Sequence, residues 1–429
     1  MLLLKGARVI DPQIEIDEET DVLVDGERIV GVGTGLSAEG AQVIDLSGKC
    51  LVPGLVDIHV HLREPGGEHK ETIESGTRAA AHGGFTGVCA MPNTNPVCDT
   101  GAGVGYVKQR AAEVGKCRVY PSGALSVGLK GEVLSEMGDM AARGAVAFTD
   151  DGRGVQDAGM MRRIMDYAAM FGKTVMVHEQ DASLVGEGQV NEGVASTRLG
   201  MLGWPALGEE LMIARDIMLC ELTGCPLHIQ HITTAAGLDL VRQAKDKGLP
   251  VTCEVTPHHL FLTEDDITLA YETSMKVNPP LRTQADAEAL MEGVIDGTVD
   301  CIVTDHAPHA DWEKAREFEL APFGMIGLET SLGLMLTKMV APGIIGYDDL
   351  VDLMAVAPRD ILGLEPVKIA SGSVADLTVF DPNLTWTVDA ADFESKASNS
   401  AFLGWELTGR ATHVLVGGRL VMSDGVVLD

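Results

Sequence analysis

The sequence predicts an α/β fold, a (β/α)8 barrel with a small β-sandwich domain built from both chain termini. In the middle of the chain, short apolar or β-branched runs alternate with stretches of helical period, which is typical of parallel β-α-β units. Eight such runs occur, the number that closes a barrel. Both ends instead carry strand-like runs separated by turns. We therefore expect residues 1–52 plus 366–429 to form the sandwich and residues 53–365 to form the barrel.

The individual elements follow this plan along the chain. Asp25-Gly26 and Gly417-Gly418 separate β-branched runs and predict hairpins in the terminal domain. Residues 180–206 are expected to be a long non-helical insert in the barrel. The predicted barrel strands are 54–61, 85–91, 117–123, 145–149, 174–178, 226–232, 250–255 and 300–304, and the clearest helices are 74–82, 160–170 and 209–219.

The charge balance limits the partners that the chain can bind. Lys and Arg number 32 and Asp and Glu number 63, so the formal net charge is −31. Such a field repels phosphate backbones and anionic lipid surfaces, which argues against nucleic-acid and membrane partners. An anionic substrate would need a specific cation or a metal in the site to outweigh this field.

The cysteines and the start of the chain predict the compartment. The eight cysteines lie in separate segments without C-x-x-C pairs, mostly within apolar runs, and so indicate buried thiols in a reducing environment. The opening Met-Leu-Leu-Leu-Lys lacks the apolar core of a signal peptide. No run approaches the ~18 apolar residues of a membrane span. We expect a soluble, cytoplasmic protein.

Histidines and aspartates follow the predicted strands at the end where such barrels hold their active sites. Because side chains alternate along a strand, His59 and His61 project to the same face. Imidazole and carboxylate ligands without a thiolate suit zinc, with manganese, cobalt or iron as alternatives. The competing interpretation is a set of polar side chains that are satisfied separately in a core. The candidate ligands are His59, His61, His178, His231 and Asp305, with Asp150 or Asp151 able to bridge a second metal.

A histidine pair and a charged segment each allow two interpretations. His258 and His259 follow the seventh strand and are interpreted as supporting or packing groups. The charged segment 310–324 is expected either to close over a substrate or to form a short solvated helix. The remaining histidines are interpreted as structural.

Six segments along the chain form one pattern: Asp-Ile-His-Val-His-Leu-Arg-Glu-Pro-Gly (57–66), Met-Pro-Asn-Thr-Asn-Pro (91–96), Phe-Thr-Asp-Asp-Gly (148–152), Val-Asn-Pro-Pro-Leu-Arg (277–282), Thr-Asp-His-Ala-Pro-His (304–309) and Ala-Pro-Phe-Gly (321–324). Together they resemble the type I dihydroorotases of the amidohydrolase superfamily, and the resemblance covers nearly the whole chain. It implies the reversible cyclisation of N-carbamoyl-L-aspartate to (S)-dihydroorotate in de novo pyrimidine (UMP) biosynthesis.

The resemblance also implies roles for individual residues. One to two zinc ions are expected, two being favoured, with His59, His61 and Asp305 at one, His178 and His231 at the other, and Asp151 between them. Asp305 would also be the catalytic acid and base, since it can touch both an activated water and the leaving ring nitrogen. The expected substrate contacts are His61, Arg63, Asn93, Asn278, His309, Phe323 and Gly324.

Arg63 is the cation that we expect to bind an anionic substrate in this acidic protein. It lies two residues beyond His61, on the same face of the strand, and its planar fork can hold a carboxylate bidentately. The alternative is an ion pair of Arg63 with Glu64 or another local acid.

Two rival functions differ from a dihydroorotase at specific residues. Many hydantoinases and allantoinases bridge their metals with a carboxylated lysine on strand 4, whereas residues 144–152 contain no lysine. A non-catalytic dihydroorotase-like subunit that only scaffolds aspartate transcarbamoylase should have lost metal ligands, and here each motif is filled. A homo-oligomer is expected, and a complex with aspartate transcarbamoylase is left open.

Overall fold

The barrel strands occur in the order that the sequence predicts. The computed structural model of the chain describes residues 1–37 and 39–429. Within them, eight parallel strands pair in sequence order, with bridges Gly123 to Phe148 and Val60 to His306 completing the ring. These strands are β6 (Leu55–Val60), β7 (Phe85–Ala90), β8 (Arg118–Pro121), β9 (Ala147–Thr149), β10 (Thr174–Val177), β13 (Leu227–Ile229), β14 (Val251–Val255) and β15 (Cys301–Ile302).

Helices follow the strands and bury apolar faces against the outside of the barrel. Capping residues fix where several of them begin: Thr72 accepts a hydrogen bond from the amide of Ser75, and Asp157 from that of Met160. The helices are α1 (Ile73–His82), α2 (Gly101–Val114), α3 (Met137–Arg143), α4 (Ala158–Ala169), α5 (Ala182–Val185), α6 (Val194–Leu199), α7 (Leu207–Thr223), α8 (Ala235–Asp246), α9 (Pro257–Phe261), α10 (Gln284–Ile295), α11 (Asp311–Lys314), α12 (Ser331–Met335), α13 (Tyr347–Val351) and α14 (Ala357–Ile361).

Both ends of the chain contribute to one further sheet, with a core of its own. β5 (Cys50–Pro53) pairs antiparallel with β16 (Leu377–Thr387), which joins the amino-terminal strands to the carboxyl-terminal ones. β1 (Leu2–Asp11) pairs with β4 (Gln42–Asp45) in its first half and with β5 in its second, so the sheet can wrap around that core. Its strands are β1 (Leu2–Asp11), β2 (Ile16–Asp25), β3 (Arg28–Gly33), β4 (Gln42–Asp45), β5 (Cys50–Pro53), β16 (Leu377–Thr387), β17 (Glu406–Val416), β18 (Arg419–Ser423) and β19 (Val426–Val427).

The predicted fold class is confirmed, and one detail of the prediction is wrong. Hairpins occur at both predicted turns, where Gly26, Gly417 and Gly418 have φ of 56°, 54° and 70°. The predicted non-helical insert at 180–206 instead contains α5, α6 and a short parallel pair, β11 (Val190–Asn191) with β12 (Gly203–Trp204). These elements are too short to show a period. Across the described residues, no helix combines the length and apolarity that crossing a bilayer requires.

Candidate metal centre and active site

The candidate ligands converge at the carboxyl ends of the barrel strands. His59 lies on β6 and His61 directly follows it, while the other ligands lie just beyond β9, β10, β13 and β15. All of them are buried. Strands that are far apart in the sequence thus bring their last residues to one place. The residues so collected are His59, His61, Asp151, His178, His231 and Asp305.

The carboxylate of Asp151 lies at the centre of this group. Its Oδ1 is 3.3 Å from Nε2 of His59, 3.5 Å from Nδ1 of His178 and 3.8 Å from Nε2 of His231. Its Oδ2 is 3.4 Å from Nε2 of His61. Burial alone would raise the pKa of Asp151, but the neighbouring histidines outweigh it and hold the pKa well below its usual value. The carboxylate is therefore ionised and faces ligand atoms on both sides.

These residues fit a pair of metal ions. Among the described residues, His59, His61 and Asp151 form one group able to hold a metal, and Asp151, His178 and His231 form a second. Oδ1 of Asp151 is buried without a hydrogen-bond partner among the described residues, although buried polar atoms are normally paired. A shared carboxylate among imidazoles, with an unsatisfied buried oxygen, indicates a binuclear metal site.

The structure distinguishes the two adjacent aspartates that follow β9. Asp150 turns away from the histidines: its Oδ1 accepts hydrogen bonds from the amides of Leu125 at 2.8 Å and Ser126 at 3.0 Å, and its Oδ2 accepts one from the Ser126 hydroxyl. Burial raises the pKa of Asp150 to about 6. Asp150 thus fastens the turn that carries Asp151, and only Asp151 faces the ligand group.

Asp305 lies between the ligand group and the open space of the site. Its Oδ1 is 2.9 Å from Nε2 of His61 and 3.5 Å from Nε2 of His59. Burial would raise the pKa of Asp305, but the charges of His59 and His61 outweigh it and lower the pKa. The carboxylate is ionised at neutral pH and able to accept a proton.

Three site residues have a positive φ, a backbone conformation that residues other than glycine rarely adopt. The φ angles are 60° at Arg63, 32° at His231 and 46° at Asp305. Strained non-glycine residues cluster at functional sites, where the surrounding structure holds them. Each of these residues lies shortly beyond the end of a barrel strand, and all three line the pocket at the mouth of the barrel.

Glu254, on β14, supports the histidine ligands through hydrogen bonds, and no motif in the sequence pointed to it. Its Oε1 accepts hydrogen bonds from Nδ1 of His59 and from the amide of His231 at 3.1 Å, and its Oε2 lies 3.0 Å from Nε2 of His228. Burial would raise the pKa of Glu254, but His59 and His228 lower it to about 2. With Nδ1 donating to this carboxylate, Nε2 of His59 is free to bind a metal.

Replacing Glu254 with glutamine is expected to weaken metal binding about 10- to 100-fold, the usual effect of removing a carboxylate behind a histidine ligand. Competition with a chromophoric chelator measures the affinity. Glu264→Gln is the matched control, because Glu264 is also buried and bonds Asn191 away from the ligands. Equal affinities in the wild type and Glu254→Gln would contradict this role.

A pocket opens directly beyond the ligand group. Its volume is about 140 Å³, below the ~300–1,000 Å³ of pockets for drug-sized ligands, so it suits a small compound. Every residue predicted to contact substrate lines it. The lining residues are His61, Arg63, Asn93, Asp151, Gly152, His178, His231, Asn278, Asp305, Ala307, His309, Phe323 and Gly324.

Arg63 is the cation that lines this pocket, and it is half-buried. Its Nε donates to the carbonyl of Pro308 at 3.2 Å, and one terminal nitrogen lies 3.5 Å from Nε2 of His309. The alternative ion pair with Glu64 is absent from the described residues, because Glu64 pairs with Arg110 at 3.0 Å instead. Burial and the nearby cations lower the pKa of His309 to about 2, so the positive charge here comes from the guanidinium.

Amides complete the pocket wall on two sides. Oδ1 of Asn93 lies 2.9 Å from Nδ1 of His61, and its Nδ2 donates to Oδ2 of Asp151 at 3.4 Å. Oδ1 of Asn278 is buried without a hydrogen-bond partner among the described residues. An unsatisfied acceptor in a pocket wall is available to a donor on a bound compound.

The two histidines after β14 do not line the pocket. His259 is a packing group, with Nδ1 2.8 Å from the Thr256 hydroxyl and Nε2 3.0 Å from the carbonyl of Pro279. His258 is buried, which lowers its pKa to about 4. Both agree with the interpretation as supporting or packing groups.

Comparisons with known proteins agree with this geometry. Residues 48–236 match the family described as Dihydro-orotase-like. The dihydroorotase of Pelotomaculum thermopropionicum is 50% identical and that of Geobacter metallireducens 49%, over 99% and 98% of this chain and 99% of each relative. The L-hydantoinase (dihydropyrimidinase) of Arthrobacter aurescens has a similar structure, with a TM-score of 0.90 and 28% identity over all of this chain and 97% of that one. The chain therefore belongs to the dihydroorotase family of the amidohydrolase superfamily and is a cyclic amidohydrolase.

Proposed function

We propose that the chain is a zinc-dependent dihydroorotase that interconverts N-carbamoyl-L-aspartate and (S)-dihydroorotate in de novo pyrimidine biosynthesis. One observation carries the proposal: a small pocket has a two-metal ligand group on one side and the guanidinium of Arg63, without a carboxylate partner among the described residues, on the other. A substrate with a cyclic amide and a carboxylate presents complementary groups to both.

In this proposal, His59, His61 and Asp305 would hold one zinc, His178 and His231 would hold the other, and Asp151 would contribute its carboxylate to both. Zinc is favoured because all the ligand atoms are imidazole nitrogens or carboxylate oxygens. Bound there, zinc supplies Lewis acidity toward the ring amide and makes a water more acidic. The protein residues bind the substrate and move the protons.

Asp305 is the residue that moves protons. In the hydrolytic direction, its ionised carboxylate accepts the proton of the attacking water at Oδ1 and then delivers it to the ring nitrogen as the amide bond breaks. In the synthetic direction, the same oxygen takes the proton from the carbamoyl nitrogen as the ring C–N bond forms and passes it to the departing hydroxide of the carboxyl group, which leaves as water. Oδ1 of Asp305 lies 2.9 Å from Nε2 of His61, which places the carboxylate beside the ligand group where both transfers occur.

The other pocket residues orient the substrate. Arg63 binds its carboxylate as a bidentate fork, helped by Asn93 and neutral His309. Asn278 and the backbone of Phe323 and Gly324 contact the ring. Because the pocket is small, the ring amide lies against the metal ligands when the carboxylate reaches Arg63.

Replacing His178 with alanine is expected to remove the second metal preferentially, because His178 belongs only to the Asp151–His178–His231 group. Elemental analysis of purified protein should give between one and two zinc ions per chain in the wild type. The variant should contain no more than about one. Active wild-type protein without any transition metal would contradict the zinc assignment.

Incubation of zinc-loaded protein with (S)-dihydroorotate tests the proposed reaction. Proton NMR should show N-carbamoyl-L-aspartate appearing, and the same mixture should be reached from the opposite direction. A protein with full zinc content that converts neither compound would contradict the proposal.

The cellular setting is also proposed. The eight cysteines are free and buried, which suits a reducing cytoplasm. We further propose that the chain forms a homo-oligomer. We also propose that it divides into a terminal sandwich of residues 1–52 plus 366–429 and a barrel of residues 53–365.

A further inference from the structure

Two lysines are buried behind one wall of the pocket. The exposed fractions are 2% for Lys276 and 7% for Lys314. Within residues 1–37 and 39–429, neither ammonium group has a carboxylate within 4.0 Å. Burying an unpaired cation is unfavourable, and an apolar side chain would fill the space with less penalty. The hydrogen bonds that these lysines donate are therefore the reason to look for a role beyond packing.

Lys314 binds the main chain that forms the pocket wall. It ends α11, and its Nζ donates to the carbonyl of Pro322 at 2.9 Å and to that of Gly324 at 2.8 Å. The carbonyl between them, that of Phe323, lies 2.8 Å from Nε2 of His309. Three consecutive carbonyls thus face fixed polar groups, which sets the direction of the peptide planes at Phe323 and Gly324.

Lys276 binds the main chain at the start of the same segment. Its Nζ donates to the carbonyls of Phe318 at 2.6 Å and Glu319 at 3.1 Å, and lies 4.5 Å from the centre of the Phe323 ring. Its own carbonyl accepts a hydrogen bond from the amide of Gly324 at 2.8 Å. Segment 318–324 is therefore fastened at both ends by a lysine.

The fastened wall has little room to shift. Gly324 has φ of 123°, and a Cβ added there would lie 2.7 Å from Cβ of Ala307 and 3.2 Å from Nε2 of His309. Phe323 and Gly324 line the pocket, so a small movement of this segment changes the shape that a substrate meets. Burial, and for Lys314 also the charge of Lys276, lowers the pKa of Lys314 to about 7 and that of Lys276 to about 8. Lysine donates hydrogen bonds in either state.

We propose that Lys276 and Lys314 are positioning residues, together a lysine clamp that fixes the Phe323–Gly324 wall against the ring of the substrate. The inference rests on the proposed function and deepens it, because nothing in the motifs of the chain pointed to these lysines. The clamp touches neither the metal ligands nor Asp305. Its loss should therefore weaken substrate binding more than it slows the chemical step.

The test compares Lys314→Met and Lys276→Met with Lys245→Met in the zinc-loaded full chain. Lys245 is the matched control, because its Nζ donates to the carbonyl of Thr298 at 2.7 Å and pairs with Asp300, just before β15, at the opposite end of the barrel. Steady-state kinetics with dihydroorotate gives KM and kcat. Hydrogen–deuterium exchange without substrate follows the amides of 318–324.

We expect each clamp variant to raise KM about tenfold, as for the loss of hydrogen bonds from a charged donor, with kcat changed less than about threefold. Exchange of 318–324 should become faster in both variants and stay unchanged in Lys245→Met. A merely structural role would lower kcat through inactive protein at unchanged KM, and this result would overturn the proposal. So would unchanged exchange, or an equal rise in KM for Lys245→Met.

Two further outcomes are also decisive. If a methionine variant precipitates, Lys314→Gln or Lys276→Gln replaces it, and an intermediate KM is expected because glutamine still donates to one carbonyl. Insolubility of all four would overturn the proposal by making the lysines determinants of folding. A wild type that is inert on dihydroorotate would contradict the proposed function alone, since the exchange comparison needs no substrate.

Discussion

Replacement of Asp305 with asparagine is expected to lower kcat by at least about 10²–10⁴-fold, the usual contribution of a positioned acid–base group. The amide has the same shape but cannot accept and return a proton. Its oxygen can also no longer act as a charged ligand beside His59 and His61, which lie 3.5 and 2.9 Å away. Stopped-time assays with saturating dihydroorotate measure the loss.

Circular dichroism of Asp305→Asn should match the wild type, and the zinc content is measured beside kcat, so that a lost proton acceptor is separated from a lost metal. Asp424→Asn is the matched control, because Asp424 is exposed and lies 3.6 Å from His413 in the terminal sheet. It should keep wild-type activity. If Asp305→Asn retained most of its activity, another group would have to move the proton.

Replacement of Arg63 with alanine is expected to lower kcat/KM for dihydroorotate roughly ten- to more than a hundredfold. Hydrogen bonds to a charged group contribute about 1.5–3 kcal/mol, and about 1.4 kcal/mol corresponds to a factor of ten. Neutral dihydrouracil lacks the carboxylate, so it should be a poor substrate of the wild type and should not suffer this loss in the variant.

Both substrates are measured on both proteins. The ratio of kcat/KM for dihydroorotate to kcat/KM for dihydrouracil separates recognition of the carboxylate from support of the metal site. Arg110→Ala removes a nearby cation that pairs with Glu64 outside the pocket, and it should leave the ratio unchanged. Equal losses on dihydroorotate and dihydrouracil in Arg63→Ala would mean that Arg63 does not read the carboxylate.

The barrel and its ligand group were predictable because both depend on local patterns. Short apolar runs mark parallel strands, and the residues directly after them must meet at one end of a barrel. His59 and His61 could be assigned to one face by strand alternation alone. The roles of the predicted substrate contacts stay predictions, although all of those residues line one pocket.

Other features could not be predicted because they depend on contacts between distant segments. The sequence could not separate Asp150 from Asp151, whose side chains are chemically identical and adjacent, and only the fold shows which one faces the histidines. Glu254 is 195 positions from the histidine that it supports. Lys314 lies in a segment whose charge indicated either a lid or a solvated helix, yet its ammonium is buried against main-chain carbonyls.

Structural similarity alone does not separate a dihydroorotase from a hydantoinase. The fold of this chain is close to that of an L-hydantoinase, with a TM-score of 0.90, and one fold can host several activities. Sequence identity is higher to the dihydroorotases, at 50% against 28%. In the structure, the position between the two ligand groups is filled by Asp151 after β9, and residues 144–152 contain no lysine.

The most direct measurement of the central claim is therefore kcat/KM of the zinc-loaded protein for (S)-dihydroorotate, hydantoin and dihydrouracil under one set of conditions. A site that combines the ligand group with Arg63 should favour dihydroorotate by at least about tenfold, since its carboxylate adds charge-assisted hydrogen bonds that the neutral rings cannot make. Faster hydrolysis of hydantoin or dihydrouracil than of dihydroorotate would contradict the claim that this site is built for a ring that carries a carboxylate.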